Sequence, residues 1–198
     1  MSSEAVAALT GESGHPPRNR RQEETFRRVL AAGLEMLRES SYADLTVRAV
    51  AARAKVAPAT AYTYFSSKNH LIAEIYLDLI RQVDYFTDVN DSTVVRVEKT
   101  LRSMALMVAD EPEVAAACTT ALLSGNDNAV RTVRERIGGE IHRRIRAAVG
   151  PDPDHRTLAA LEMTFFGALV NAGSGAFTYH QIADRLSYVV GLIVGDDK

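Results

Sequence analysis

Hydroxyl and phenol groups are concentrated in five consecutive positions, residues 60 to 64, which hold two threonines and two tyrosines. Such groups donate hydrogen bonds to phosphate oxygens, and Lys68, one turn further along, adds a positive charge beside them. Pro58 and Ala59 come just before, and residues this small let a backbone approach base edges in a major groove. The chemistry of this stretch therefore suits contact with a nucleic acid duplex.

Two short helices joined by a turn are needed to present these groups. Thr46 is suited to accept a backbone N–H as the N-cap of a first helix with a small apolar buried side. Pro58 has no N–H to donate and suits the first turn of a second helix over residues 58 to 65, which leaves residues 55 to 57 for the turn. This order of elements predicts a helix-turn-helix, whose second helix enters the major groove.

The remaining apolar spacing is helical along the whole chain. An amphipathic helix is predicted over residues 22 to 40, and Ser66 or Ser67 is a candidate cap for a longer helix after the second short one. Further helices are predicted over residues 113–124, 126–149, 155–173 and 180–194, separated by turn residues that include Gly125-Asn126. No alternating strand pattern is present, so the predicted fold class is all-α. The predicted domains are a tail over 1–17, a three-helix helix-turn-helix bundle over 18–66 and a larger C-terminal helical domain over 67–198.

Composition supports a globular protein with an uneven distribution of charge. The 198 residues are 46% hydrophobic and 24% charged, and no apolar run reaches the ~20 residues of a membrane span. Residues 18 to 70 contain ten Lys or Arg against five Asp or Glu, whereas residues 71 to 198 contain thirteen against eighteen. The basic part is the one that faces a polyanion more readily. The single cysteine, Cys118, excludes an internal disulfide, fits a reducing cytoplasm and is expected to be a small buried residue.

Enzymatic motifs are missing from the sequence. It contains no Gly-x-Ser-x-Gly, no phosphate-binding glycine-rich loop and no His-Glu-x-x-His, and its five histidines are scattered. We therefore predict neither catalysis, nor a metal site, nor a cofactor. The alternative function is a helical module whose basic face binds an acidic protein, without DNA binding. For the aromatic residues the alternative is a core cluster, which we expect of Phe65 but not of Tyr62 or Tyr64.

Residues 46 to 71 resemble the DNA-binding signature of TetR-family transcriptional regulators. The resemblance is carried by Thr46-Val47, Val50-Ala51, the segment Thr60-Ala61-Tyr62-Thr63-Tyr64-Phe65, and Lys68 followed by Leu71. The chain differs from the family pattern at Lys55, where glycine is usual in the turn, and at Ala61, which is smaller than the usual Leu or Ile. We expect Lys55 to tolerate a positive φ at a modest cost.

The resemblance implies a role for each matching residue. It implies phosphate contacts from Thr46, Thr60, Tyr62, Tyr64 and Lys68, and groove contacts from Arg48, Pro58, Ala59 and Thr63. Among the residues with implied groove contacts, Arg48 is the one with a long side chain that could donate two hydrogen bonds to a guanine edge. The implied protein is a homodimeric, ligand-responsive repressor that binds a palindromic operator in double-stranded DNA.

The resemblance also implies that the C-terminal helices form a ligand pocket and a two-helix dimerisation surface. Apolar stripes on the last two predicted helices fit the second role, the alternative being an internal core. The predicted interface residues are Leu161, Phe165, Leu169, Leu186, Val190 and Ile193. The predicted pocket residues are Met104, Met107, Thr119, Leu122, Met163, Phe166 and Asn171. A general likeness to actinobacterial regulators of sterol and lipid catabolism suggests a large apolar or CoA-linked effector.

Overall fold

The computed structural model describes residues 19–124 and 127–195, and within them it contains helices and no strand. This confirms the all-α prediction. The predicted tail, residues 1–17, and the predicted break at Gly125-Asn126 lie outside the described residues. The helices are α1 (Arg20–Glu39), α2 (Val47–Arg53), α3 (Pro58–Tyr64), α4 (Lys68–Gln82), α5 (Thr93–Leu106), α6 (Pro112–Leu123), α7 (Asn128–Val149), α8 (His155–Gly173) and α9 (Tyr179–Val194).

Side-chain caps decide where the N-terminal helices begin. The Thr46 hydroxyl accepts the Ala49 N–H at 3.1 Å, which confirms the predicted N-cap of α2. Helix α1 starts at Arg20, two residues before the predicted start, because Asn19 and Gln22 form a reciprocal capping box. At α4 the cap is Ser67, the second of the two predicted candidates.

The first three helices pack around an aromatic pair. The rings of Phe26 on α1 and Phe65 stack with centroids 5.1 Å apart, and Phe65 is fully buried, as predicted. Between α2 and α3, Lys55 adopts a φ of +54°, which confirms that a lysine occupies the left-handed position where the family usually has glycine. The Val56 N–H donates to the Ala51 carbonyl and closes this turn.

Helix α4 connects the N-terminal bundle to the remaining helices. It packs against α1 on one side and against α6 and α7 on the other, while α5 packs on α9 and α8 on α7 and α9. Cys118 on α6 is buried in the common core, and burial raises the pKa of its thiol to about 12. Among the described helices, none combines the length and apolar character required to span a membrane.

Candidate nucleic-acid interface

Helix α3 buries one residue, packs a second partly against the bundle and exposes most of its predicted contacts. Ala61 is fully buried in a small cluster with Val47 and Ala51 of α2. Because all three side chains are small, the two helices approach each other closely. Five predicted contact residues are left at the surface of α3: Pro58, Ala59, Thr60, Tyr62 and Thr63.

The two tyrosines of α3 lie in different environments. Tyr62 is 51% exposed, so most of its ring and hydroxyl face solvent. Tyr64 is half-buried, and its ring meets Phe26 edge-on with centroids 6.1 Å apart. Aromatic packing therefore restricts the orientation of Tyr64, whereas Tyr62 is free to adapt to a bound surface.

The start of α2 adds two exposed residues, Thr46 and Arg48. The Thr46 hydroxyl accepts a backbone N–H and still has its own proton to donate. Among the described residues, Arg48 forms no hydrogen bond or ion pair, whereas Arg53 on the same helix is held by Glu39 and Glu35 of α1. Arg48 is thus a cation on this surface that does not have to leave a carboxylate before it contacts DNA.

Lys68 has an intramolecular role that the sequence analysis missed. Its Nζ donates to the Tyr42 carbonyl at 2.9 Å and lies 4.1 Å from the centroid of the Tyr42 ring. The Tyr42 hydroxyl in turn donates to Asn69 Oδ1 at 2.6 Å. These contacts attach the loop between α1 and α2 to the start of α4. An ammonium group carries three donors, so this role leaves donors for a phosphate.

The predicted dimer-interface set is wrong for four of its six residues. Leu161, Phe165, Leu186 and Val190 are almost fully buried in the chain's own core. Leu169 and Ile193 are half-buried and pack against the same core. Helical periodicity identified the apolar stripe correctly, but a stripe that covers the interior of its own chain has no area left for a second chain.

The surface of α8 and α9 carries a different apolar set. Five large apolar side chains are exposed there, with Met163, Tyr188 and Leu192 each more than 70% exposed. We call these residues the α8–α9 outer face: Met163, Phe166, Val170, Tyr188 and Leu192. The sequence signal for them was present, because their spacings of three and four form a second apolar stripe on each helix. A helix with two such stripes buries one and leaves the other without a partner in the monomer.

The predicted pocket residues do not line one cavity. Met104 is fully buried in the core, while Met163, Phe166 and Asn171 are exposed on α8. These three residues therefore lie on the surface of this chain and do not share an interior pocket with Met104. Thr119 is half-buried and lies beside the Tyr179 side chain. The two remaining residues, Met107 and Leu122, are half-buried and pack against the core.

Comparison with known proteins identifies the family. Residues 29–75, from α1 into α4, match the family described as "Bacterial regulatory proteins, tetR family". The HTH-type transcriptional regulator Rv0767c of Mycobacterium tuberculosis (strain ATCC 25618 / H37Rv) is 72% identical over 178 residues, which cover 89% of this chain and 84% of the relative. The HTH-type transcriptional repressor KstR of Rhodococcus jostii (strain RHA1) is 27% identical over 201 residues, which cover 98% of this chain and 93% of KstR.

The fold agrees with that of a solved member. The crystal structure of a TetR transcriptional regulator from Rhodococcus sp. RHA1 superposes with a TM-score of 0.76 over 91% of this chain and 100% of that chain, at 21% identity. Regulators of this kind are not enzymes, and their helix-turn-helix removes the alternative of an interaction module without DNA binding. The chain belongs to the TetR family of DNA-binding transcriptional regulators.

Proposed function

We propose that the protein is a homodimeric repressor that binds a palindromic operator through α2 and α3 and releases it when a small molecule binds the C-terminal helices. The observation that carries this proposal is the exposed polar surface of α3, a helix that packs on the bundle through buried Ala61 and the ring of Tyr64. Repression is inferred from the relative KstR, which is a transcriptional repressor. The nine predicted contact residues remain our proposal for the DNA-binding set.

The α8–α9 outer face supports the dimer. Exposed apolar groups of this size gain free energy when a second apolar surface covers them. Gly167 and Gly191 lie within these two helices, and a Cβ added to either would meet nothing within 4 Å in this chain. Mid-helix glycine costs about 1 kcal/mol relative to alanine, so packing inside the monomer does not explain their presence. At these two positions no side chain stands between the helix and its surroundings, so a second copy of the chain could pack closely against the helix backbone.

A dimer suits a palindrome for geometric reasons. A two-fold axis places the same surface of each subunit at the interface, and it presents the two recognition helices to successive turns of DNA, roughly 34 Å apart. The operator is therefore expected to be an inverted repeat. Each half-site would be contacted by one set of residues from Thr46 to Lys68.

Hydroxyl groups in the C-terminal core support binding of an effector. Tyr76 on α4 is buried, and Tyr179, with Thr119 beside it, lies close to Tyr76 and to Cys118. Burial raises the pKa of both tyrosines, so their hydroxyls stay protonated at neutral pH and are able to donate. A few polar anchors in apolar surroundings are typical of sites for large apolar ligands, and we retain a large apolar or CoA-linked effector as the candidate class.

Selection of duplexes from a randomised DNA pool tests the proposal. The enriched sequences should contain an inverted repeat, and one repeat should bind two chains in sedimentation experiments. Addition of acyl-CoA thioesters or free sterols should then lower the affinity of the protein for that duplex by about tenfold or more. Enrichment of a single half-site bound by one chain would refute the dimer, and ligands that bind without changing operator affinity would refute the allosteric part.

A further inference from the structure

Besides the packing of α4 on α6, two junctions formed by polar contacts of different character attach the helix-turn-helix bundle to the C-terminal helices. At the first, α4 is held to α7 by three polar contacts spread along its length. Asp127 accepts from Ser67 at 2.6 Å, Arg136 pairs with buried Glu74, and buried Arg144 donates to carbonyls at the end of α4, including that of Arg81 at 3.0 Å. Burial alone would raise the pKa of Glu74, but hydrogen bonding from His70 and the nearby Arg136 hold that pKa below its ordinary value.

At the second junction, the end of α1 meets the start of α6. Arg38 donates two hydrogen bonds to Glu111, from Nε to Oε2 at 2.5 Å and from Nη2 to Oε1 at 2.8 Å. The Arg38 side chain is 48% exposed and that of Glu111 28% exposed. Such a bidentate pair is the strongest arrangement of an arginine and a carboxylate. Because this pair is accessible to water, its two charges are screened by solvent.

Glu111 does not cap its own helix, although it stands at the N-cap position of α6. The first helical residue is Pro112, which has no N–H to satisfy. Arg38 lies in the last turn of α1, so its charge faces the negative end of that helix, and the Glu111 carboxylate faces the positive end of α6. Both helix dipoles therefore favour the charged pair, and Arg38 also lowers the pKa of Glu111.

Helix α6 connects this pair to the C-terminal helices. Thr119 on α6 lies beside the Tyr179 side chain at the start of α9. It also packs so closely on Gly173 that a Cβ there would lie 2.6 Å from Thr119 Cγ2. At the other end of the path, α1 carries Phe26, which stacks on Phe65 immediately after α3. A shift of α6 would thus be transmitted to α3 through the Arg38–Glu111 pair.

We infer that Arg38 and Glu111 are positioning residues, which set the orientation of the helix-turn-helix bundle on the C-terminal helices and so control how well the protein discriminates its operator from other DNA. The pair acts through α1 and contacts no DNA. Because it is solvent-accessible and the α4–α7 contacts are largely buried, it is the junction that opens when α6 moves. The inference depends on DNA binding alone and stands whether or not the proposed effector is correct.

Charge reversal tests this inference. The variants are Arg38→Glu, Glu111→Arg and the double swap, and the measured quantity is the ratio of affinities for a duplex selected by the wild-type protein and for a random duplex of equal length. We expect both single variants to change this ratio in the same direction, by roughly 3- to 10-fold, and the swap to restore it within about twofold. Using a ratio removes the effect of net charge, which acts on both duplexes.

Lys99 and Asp91 supply the matched control, because they form an ion pair at 2.7 Å with the same exposed fractions, 48% and 28%, and belong to α5 and the loop before it, outside the N-terminal bundle. Lys99→Glu and Asp91→Lys should leave the ratio unchanged. An unchanged ratio in Arg38→Glu and Glu111→Arg, opposite shifts in the two, or a swap without recovery would overturn the inference. Thermal unfolding of each variant shows whether a changed affinity ratio is caused by misfolding. If the double swap is as stable as the wild-type protein but does not restore the ratio, the inference is contradicted.

Discussion

The recognition surface of α2 and α3 and the α8–α9 outer face are both exposed, yet their chemistry is opposite. The first presents small, hydroxyl and cationic side chains, and its helix α3 buries only Ala61. The second presents large apolar side chains on helices that already bury a complete apolar stripe. The surface of α2 and α3 carries many hydrogen-bond donors, and the α8–α9 outer face carries a large apolar area. Neither composition is typical of a surface that faces only water.

The difference between the surfaces indicates how the two partners bind. A polyanion is held by donors and charge, so removing one contact from the recognition surface should weaken DNA binding by a limited amount. An apolar interface between identical chains contains every residue twice, so one unfavourable change acts twice. The outer face should therefore be the more sensitive of the two surfaces to a single substitution.

The largest effect is expected from Leu192→Asp. Leu192 is 71% exposed in the monomer, so the change should leave folding intact but place two carboxylates in the proposed interface. We expect the dimer dissociation constant to rise roughly a thousandfold in sedimentation experiments, with a parallel loss of operator affinity. Leu123→Asp is the matched control, since Leu123 is similarly exposed but lies on α6. Equal behaviour of the two variants would count against this face as the interface.

Leu161→Ala should affect folding instead of assembly. Leu161 belongs to the stripe of α8 that is buried in the core, and truncation of a buried leucine costs about 2 to 5 kcal/mol. Met163→Ala, two residues away and exposed, should change the monomer's stability by no more than about 0.5 kcal/mol. Urea unfolding of both variants in the Leu192→Asp background, where dissociation of the proposed dimer does not contribute, compares their stabilities, and similar losses would mean that the assignment of the two stripes is incorrect.

Arg48→Ala should reduce sequence discrimination. An arginine that reads a guanine edge contributes about 1 to 3 kcal/mol of preference for the correct base. We therefore expect the ratio of affinities for selected and random duplexes to fall roughly tenfold or more in fluorescence anisotropy titrations. Discrimination equal to that of the wild-type protein would remove Arg48 from the base-reading residues.

Tyr62→Phe should have the smallest effect of the four. It removes one exposed hydroxyl and keeps the ring, so it should weaken binding to every duplex by about 1 kcal/mol, close to fivefold. The same titrations with selected and random duplexes measure it. A loss confined to the selected duplex would mean that Tyr62 reads sequence and does not contact phosphate.

Local features of the helix-turn-helix could be predicted from the sequence because they depend on neighbours a few residues apart. The N-cap of Thr46, the helix start at Pro58 and the positive φ of Lys55 each follow from the chemistry of one residue and the next turn of backbone. The C-terminal helices were also predicted nearly to the residue. The roles of their apolar residues were not, since Met163 and Leu161 are equally suited to a core by sequence.

What the sequence alone established is the fold class, the helix-turn-helix and the residues that could meet DNA, because capping and helical periodicity are local properties of the chain. Which apolar stripe of α8 and α9 faces inward was decided only by the tertiary structure, since the packing of α5 and α7 chooses between two stripes of equal spacing. The contact between Arg38 and Glu111 joins positions 73 residues apart. No local pattern encodes such a pair, and only the packing of α1 on α6 brings its two charges together.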